Sequence, residues 1–263
     1  MFTSSDEVAS FIDKESIELV DVRFCDVPGV QQHFTIPVGE FLGGAIDDGL
    51  MFDGSSVRGF TAIHESDMKL VPDLSSAFVD PFRARATLVV DFSIVDPFTD
   101  EPFSRDPRQV AAKAEAHLRS TGIADQCFVG AEAEFYLFDD VRYQVSPHAT
   151  FFEVDSPEAY WNTGRREEGG NMGYKVGLKG GYFPVSPADK YADVRDEMSR
   201  ILEQVGLTIE RAHHEVGSGG QQEINYRFAT LQAAADDMMK FKYVIKNSAL
   251  EFGHSATFMP KPL

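Results

Sequence analysis

The chain has 263 residues, 43% of them hydrophobic, which is enough for one large domain or two ordinary ones with a real core. Lys and Arg number 24 against 42 Asp and Glu, so the net charge is −18. This charge gives no electrostatic support for binding nucleic acid or anionic lipid, and it favours a cationic or metal-bound ligand. The sequence shows no apolar run of transmembrane length and no signal-peptide pattern. We therefore expect a cytoplasmic protein.

The first hundred residues read as a small β-rich region with one helix. Ser4 and Glu7 have the spacing of a capping box, which starts an amphipathic helix that ends near Lys14. Alternating apolar residues on both sides of an Asp-Val-Pro-Gly turn predict a hairpin. The pattern predicts strands over 19–25, 30–36 and 85–95, and a long functional loop over 47–67.

A polar, proline-containing stretch, 96–105, separates this region from a helix with clear boundaries. Asp106 suits the N-cap, Pro107 the first helical position and Gly122 the C-terminal cap, so a helix is predicted over 107–121. The remaining pattern predicts a strand over 126–139, a glycine-rich loop over 140–181, a helix over 188–205, hairpin strands over 207–216 and 221–228, a helix over 231–252 and an extended segment over 255–259. The sequence thus favours an α+β fold, with a small β domain before a catalytic domain.

Two glutamates lie close together in the predicted strand 126–139. Glu132 and Glu134 are two residues apart, so their side chains share one face of the strand. Burying two carboxylates on an otherwise apolar strand is costly. For this segment alone, a solvated face that binds nothing is an equally good interpretation.

A second pair of glutamates flanks a glycine-rich turn. If the turn centres on Gly219, Glu215 and Glu223 stand directly opposite each other, with Cβ atoms about 4.5 to 5.5 Å apart. Like charges at this distance repel, so a positive group is expected between them. Together with Glu132 and Glu134 they form a cluster of hard oxygen donors, which suits Mg²⁺ or Mn²⁺.

Two histidines precede Glu215 on the same predicted strand. His213 and His214 point to opposite faces, so at most one shares the face of Glu215. We interpret each as a packed or surface histidine and not as a metal ligand. No Walker A, GxSxG or GxGxxG pattern is present, so phosphate would have to be held by metal and scattered side chains.

Six separated motifs, in order along nearly the whole chain, resemble the glutamine synthetase family and specifically its bacterial type I branch. They are FDGSSVRG at 52–59, ESDM at 65–68, GAEAEF at 130–135, GGYFPV at 180–185, HHEVGSGGQQE at 213–223 and FMPKP at 258–262. The resemblance implies an N-terminal β-grasp domain over 1–103 and a catalytic domain over 104–263, assembled in the family as two stacked hexameric rings. It also implies a reaction of nitrogen metabolism, in which ATP phosphorylates the γ-carboxylate of L-glutamate and ammonia then displaces the phosphate to give L-glutamine.

The resemblance also assigns roles to individual carboxylates. Glu134, Glu215 and Glu223 resemble the ligands of a first metal, near glutamate, and Glu132 resembles a ligand of a second metal, near the nucleotide phosphates. Asp53 resembles the aspartate that binds and deprotonates ammonium at the site of a neighbouring subunit. The implied ammonium loop also contains Ser56 and Asp67, and the implied nucleotide pocket contains Tyr182, Glu210 and Phe228.

The family continues beyond FMPKP with further substrate-binding motifs. The resemblance therefore implies a chain shortened at its C-terminus, with an incomplete catalytic domain that retains only Glu132 of the second metal site. We expect the isolated chain to be inactive. Two alternatives stay open: a paralogue that ligates glutamate to another amine, such as a polyamine, and a non-catalytic protein that binds metal or assembles with full-length subunits. The intact DGSS at 53–56 disfavours the paralogue.

Overall fold

A computed structural model of the chain describes residues 2–162, 166 and 170–263. Its helices of ten or more residues are α1 Ser5–Lys14, α2 Pro107–Thr121, α3 Ala192–Gln204 and α4 Leu231–Glu251. The strands are β1 Leu19–Cys25, β2 Gln31–Pro37, β3 Leu50–Asp53, β4 Asp67–Val79, β5 Thr87–Val95, β6 Phe128–Val129, β7 Glu134–Phe138, β8 Asp140–Ser146, β9 Ala149–Asp155, β10 Ile209–His214, β11 Gln221–Tyr226, β12 Ala229–Thr230 and β13 Ser255–Thr257. This mixture confirms the predicted α+β class.

The chain divides into two compact units. Unit 1 comprises Met1–Val129 and Thr230–Asp236, and unit 2 comprises Gly130–Ala229 and Asp237–Leu263. The predicted domain boundary after residue 103 stays a prediction. Within the described ranges, no helix combines the length and apolar character needed to cross a membrane.

Unit 1 is built on a five-stranded sheet in the order β2-β1-β5-β4-β3. β1 and β2 form the predicted antiparallel hairpin, and β1 pairs in parallel with β5. Alternate residues of the central strands point to one face, where they form a core with the apolar side of α1. The buried side chains of this core include Val8, Ile12, Val20, Val22, Phe24, Leu88, Val90, Phe92 and Ile94.

The segment 47–67, predicted as one long loop, is more ordered than expected. It contains β3 and two short 3₁₀ turns, Gly54–Ser56 and Ile63–Glu65. Leu50 and Phe52, two residues apart, pack against the core of unit 1, which explains why this part forms a strand. β4 was missed altogether: its alternation is interrupted by Pro72 and by a register shift between Asp73 and Phe78.

The helix predicted over 107–121 is confirmed with its caps. The Asp106 carboxylate accepts a hydrogen bond from the Arg108 backbone N–H at 3.0 Å, and Pro107 occupies the first turn. Gly122 ends α2 with φ of 72°, a left-handed conformation that favours glycine. Local chemistry determined both boundaries of this helix.

Three predictions for residues 126–205 are wrong in part. The strand over 126–139 is interrupted, because only 128–129 and 134–138 pair with neighbours. The first part of the loop over 140–181 is the hairpin β8–β9, in which Tyr143 faces Phe152. The helix predicted from 188 begins at 192.

The sheet of unit 2 has the order β10-β11-β7-β13. All its paired strands are antiparallel. β11 lies between β10 and β7, and its burial is nearly complete. The predicted helix over 231–252 and the predicted extended segment after it are confirmed as α4 and β13.

A buried arginine of unit 1 connects α2 to the sheet. The Arg108 side chain is 8% exposed and contacts Asp73 of β4 through Nη2. Its Nη2 and Nε donate to the Asp236 carboxylate at 3.0 and 3.1 Å, and its Nη1 donates to Ser93 Oγ at 3.1 Å. The Arg108 guanidinium thus compensates the negative charges of both Asp73 and Asp236.

We expect Arg108→Met to lower the free energy of unfolding by about 3 kcal/mol, because it leaves both carboxylates without their cation. Urea denaturation measures the change. Arg200→Met is the control, since Arg200 forms an exposed ion pair with Glu197 that water screens. Equal losses in the two variants would contradict a structural role for the buried arginine.

Candidate functional site

Three neighbouring strands of unit 2 carry a row of ionisable side chains. Glu223 in β11 is the register partner of His213 in β10 and of Glu134 in β7. Register partners on adjacent strands point to the same face, with Cβ atoms about 4.5 to 5.5 Å apart. The sheet therefore brings two glutamates and one histidine into a line across three strands.

The predicted register of the hairpin is wrong by two residues, because Glu223 pairs with His213. Glu215 does not stand opposite Glu223: it lies just beyond the end of β10, and its backbone N–H donates to the Gln221 carbonyl at 2.8 Å. The turn centres on Ser218 and not on Gly219, which takes a left-handed φ of 114°. The Gln221 side chain, which accepts from the Gly217 N–H at 2.6 Å, closes this turn.

The side chain of His213 lies between the two hairpin carboxylates, where the sequence predicted a positive group. His213 Nδ1 lies 3.6 Å from Glu215 Oε1, and His213 Nε2 lies 3.6 Å from Glu223 Oε2. One potential ligand atom from each of these residues lies within 4.8 Å of the others. Sequence reasoning left this histidine out, although its spacing of two from Glu215 already indicated a shared face.

Each carboxylate also has a polar neighbour. Glu134 accepts from the Gln221 side-chain amide, Glu223 accepts from Asn225 Nδ2 at 2.6 Å, and Glu215 accepts from the Val216 N–H at 2.8 Å. These hydrogen bonds reduce the electrostatic repulsion among the three carboxylates without removing it.

Two of these glutamates hold their protons more tightly than usual. Burial, followed by the charges of Glu215 and Glu223, raises the pKa of the Glu134 carboxyl above its ordinary value. Burial also raises the pKa of Glu223, against the lowering effect of its hydrogen bond from Asn225. Adding a cation between these groups would relieve the same repulsion.

Glu132 lies outside the strand that was predicted to carry it. It precedes β7 in an irregular segment and is exposed. It nevertheless lines the same pocket as Glu134, so the structure keeps the two side chains together without the continuous strand. Gly130, Ala131 and Glu132 all line the pocket, so the irregular segment before β7 keeps Glu132 in the same pocket as Glu134.

One pocket of about 440 Å³ in unit 2 collects the predicted metal and nucleotide residues. Its lining includes the predicted Glu132, Glu134, Tyr182, Glu210, Glu215, Glu223 and Phe228, and also His213 and Asn225. Tyr182 and Phe228 are 57% and 59% exposed, so the pocket has aromatic surface beside the carboxylates. Glu210 lies 3.8 Å from Arg227 Nε.

The predicted ammonium loop belongs to unit 1. Asp53 ends β3, is exposed, and is the register partner of Asp67 in β4. Its carboxylate accepts from the Ser55 N–H at 2.9 Å and from the hydroxyls of Ser55 and Ser56 at 2.6 Å each. The side-chain hydrogen bonds of Ser55 and Ser56 lower the pKa of Asp53, so the group stays anionic at neutral pH.

Comparison with known families matches both halves of the chain. The glutamine synthetase catalytic domain matches residues 104–263, and the glutamine synthetase beta-grasp domain matches residues 16–97. These matches confirm the predicted pairing of a β-grasp domain with a catalytic domain.

Several curated relatives are similar over the whole chain. The glutamine synthetase of Frankia alni is 57% identical over 263 residues, which are 100% of this chain and 56% of that protein. The glutamine synthetase of Mycolicibacterium smegmatis is 58% identical over 263 residues, which are 99% of this chain and 55% of that protein. The chain therefore spans about half the length of the curated relatives that it matches.

Solved structures show the same fold. The structure of Plasmodium falciparum glutamine synthetase matches with a TM-score of 0.90 and 26% identity, over 100% of this chain and 51% of that chain. A GmaS/ADP complex matches with a TM-score of 0.73 and 22% identity, over 97% of this chain and 52% of that chain, and supports the fold alone. The sequence relationship and the fold agree, and the chain belongs to the glutamine synthetase family.

Proposed function

We propose that the chain takes part in the ATP-dependent ligation of ammonia to the γ-carboxylate of L-glutamate, which forms L-glutamine through γ-glutamyl phosphate. The observation that carries this proposal is the pocket of unit 2. Its glutamates Glu132, Glu134, Glu215 and Glu223 supply the donors that divalent cations prefer, and aromatic side chains line the same pocket and can contact a nucleotide base. The glutamine synthetase family uses ATP and divalent metals.

The carboxylate cluster fits a divalent cation. Its donors are hard oxygens, and Glu215 and Glu223 bring potential ligand atoms within 4.8 Å of each other and of His213. We propose Mg²⁺ or Mn²⁺, with Glu134, Glu215 and Glu223 holding the first ion and Glu132 contributing to a second. When bound, such cations neutralise the charge of the transferring phosphoryl group.

Nucleotide binding is proposed for the aromatic side of the same pocket. Tyr182 and Phe228 line this side with side chains that are more than half exposed, and contact with aromatic rings is favourable for any purine. Glu210 lines the pocket beside them and can accept hydrogen bonds from ribose or base donors. This arrangement would direct the phosphates of ATP toward the carboxylates.

We propose that Asp53 binds ammonium and takes a proton from it. An anionic carboxylate attracts the cation, and a proton must leave before the nitrogen lone pair can attack. Ser56 supports Asp53 directly by a hydrogen bond, and Asp67 adds a second negative charge in the register position opposite Asp53. In a ring assembly this loop would serve the pocket of a neighbouring subunit.

Three further proposals concern the assembly of the chain, its domain boundary and its location in the cell. We propose a homo-oligomer of two hexameric rings, a domain boundary after residue 103 and a cytoplasmic location. The net charge of −18 supports small cationic partners over nucleic acid or anionic membranes. The alternatives of a polyamine-type ligase and of a non-catalytic protein are not borne out by the comparisons.

An assay of a chimera tests the proposed reaction. The chain is followed by the C-terminal part of the Frankia alni relative, and ADP release from ATP is measured with L-glutamate and ammonium. We expect glutamate- and ammonium-dependent turnover that Glu134→Gln abolishes. Faster turnover with a polyamine than with ammonium would favour the other ligase, and calorimetry of the chain alone with Mn²⁺ and ATP tests binding without turnover.

Metal removal should destabilise the chain. At a Mn²⁺ concentration 100 times the Kd, binding adds about 2.7 kcal/mol to the free energy of unfolding, and EDTA removes it. Glu223→Gln should raise the melting temperature of the metal-free chain, because it removes one repelling charge, and should reduce the gain from Mn²⁺. Calorimetric melting with and without EDTA measures both effects.

The matched control for this variant is Glu197→Gln on the exposed surface of α3. It should leave the response to Mn²⁺ unchanged. A wild-type chain that melts at the same temperature with Mn²⁺ and with EDTA would argue against the shared cation site.

Asp53→Asn in the chimera should preserve the turn, because asparagine adopts the same conformations and its amide oxygen can still accept from Ser55, while the charge, the base and the acceptor for the Ser56 hydroxyl are lost. We expect kcat to fall by about 10²- to 10⁴-fold and KM for ammonium to rise. The affinity for ATP should change little. Steady-state kinetics with ammonium as the varied substrate measures these changes.

Mixed assemblies test whether Asp53 acts on a neighbouring subunit. Rings that combine Asp53→Asn subunits with Glu134→Gln subunits should regain part of the activity, because some interfaces unite an intact loop with an intact pocket. Mass spectrometry confirms mixing. Inactive mixed rings would show that Asp53 does not complete a neighbour's pocket.

A further inference from the structure

A buried ion pair lies behind the carboxylate-bearing hairpin of unit 2. His214 Nε2 contacts Glu158 Oε1, and both side chains are 0% exposed. His214 occupies the opposite face of β10 from His213, as the alternation of a strand requires. The pair therefore lies outside the pocket and contacts no candidate substrate position.

The second nitrogen of His214 joins two separate backbone segments. Its Nδ1 lies 2.7 Å from the Gly181 carbonyl oxygen and 2.6 Å from the Glu215 carbonyl oxygen. Carbonyl oxygens only accept hydrogen bonds, so Nδ1–H is the donor. Glu158 extends the connection, because its Oε2 accepts from the Lys190 N–H at 3.2 Å.

The loop that follows Gly181 needs tertiary contacts to keep its conformation. Phe183 has φ of 59°, a left-handed value that costs a non-glycine residue free energy and persists only where the surroundings enforce it. Phe183 N–H donates to the His214 carbonyl at 3.4 Å, and Gly181 N–H donates to the Val216 carbonyl at 3.2 Å. The two segments also approach closely, since a Cβ at Gly181 would lie 2.7 Å from His214 Cε1.

Both connected segments reach the pocket. The hairpin segment carries the Glu215 carboxylate, and the loop segment carries Tyr182. The rings of Tyr182 and Phe183 stack with centroids 3.9 Å apart, and the Phe183 ring contacts His213 edge-on at 4.7 Å. A shift of the loop relative to the hairpin would therefore displace a proposed cation ligand and a proposed nucleotide contact together.

A buried ion pair does not by itself argue for stability. Removing two charges from water costs about as much as their attraction returns, and an apolar pair of the same volume would often serve the core equally well. A purely structural pair would affect melting of the whole unit when mutated. A positioning pair would also disturb the particular backbone segments that it joins, beyond its effect on melting.

We propose that Glu158 and His214 are positioning residues, which hold the loop that carries Tyr182 against the hairpin that carries Glu215. This inference rests on the proposed function of the pocket. The pair sets the relative placement of one cation ligand and one nucleotide-binding side chain, while neither member touches the ligands.

Hydrogen exchange of the metal-free chain tests the connection directly. Glu158→Leu removes the acceptor, whereas Glu158→Gln keeps an oxygen in its place and provides a folded variant if leucine is not tolerated. Leu202→Ala is the control, since Leu202 is fully buried in α3 of the same unit and lies outside the pair. We expect the amides of 181–183 and 215–216 to exchange about tenfold faster or more in the Glu158 variants than in the control at equal global stability.

Calorimetric titration with Mn²⁺ alone tests the consequence for the pocket. Loss of a group that orients a metal ligand typically weakens metal binding by 10- to 100-fold, so we expect about 100-fold for Glu158→Leu, about 10-fold for Glu158→Gln, and no change for Leu202→Ala. Weaker binding of ADP in the same variants, with the same order, would add support from the loop segment.

Two results would overturn the positioning role. In the first, the amides of 181–183 and 215–216 exchange faster in the Glu158 variants only to the extent that the whole chain is less stable. In the second, both Glu158 variants bind Mn²⁺ with the same affinity as the wild type. A wild-type chain that binds no Mn²⁺ contradicts the proposed function itself, and the exchange experiment still decides whether the pair joins the two segments.

Discussion

Electrostatic repulsion among the clustered carboxylates of unit 2 is the constraint on which the rest of the pocket depends. Glu134 and Glu223 are directly paired across two strands, and Glu215 lies just beyond the end of the third. Each additional negative charge raises the free energy of the others, and burial together with this repulsion raises the pKa values of Glu134 and Glu223. A fold that concentrates charge in this way must compensate it through neighbouring groups.

The compensation is arranged in two layers. In the pocket, His213 lies between two carboxylates, and amide side chains donate to Glu134 and Glu223. Behind the hairpin, backbone atoms are held by a buried histidine that itself contacts Glu158. The first layer lowers the repulsion, and the second limits how far the backbone can move in response to it. A partly compensated, rigid set of oxygen donors is the arrangement that binds a divalent cation strongly.

Local sequence patterns predict those features of the fold whose stabilising contacts lie within a few residues, such as helix caps. The caps of α2 at Asp106 and Gly122 lie beside the residues that they stabilise, so the sequence predicted this helix accurately. β4 was missed, because a strand is stabilised by its pairing partners as well as by its own pattern, and the β8–β9 hairpin was missed although its two strands are adjacent in the sequence. Pro72 and the bulge after Asp73 further obscured the alternation of β4.

The sequence by itself indicated the fold class, and its six motifs that resemble glutamine synthetase indicated the family and the candidate carboxylates, because residue types and motifs can be read directly from the order of the chain. Tertiary structure alone decided the hairpin register, the insertion of His213 between Glu215 and Glu223, and the contact of His214 with Glu158. These features depend on a turn whose centre moves by one residue and on segments 56 residues apart. Periodicity cannot specify them, because a turn centre and a long-range contact are set by packing of the whole unit.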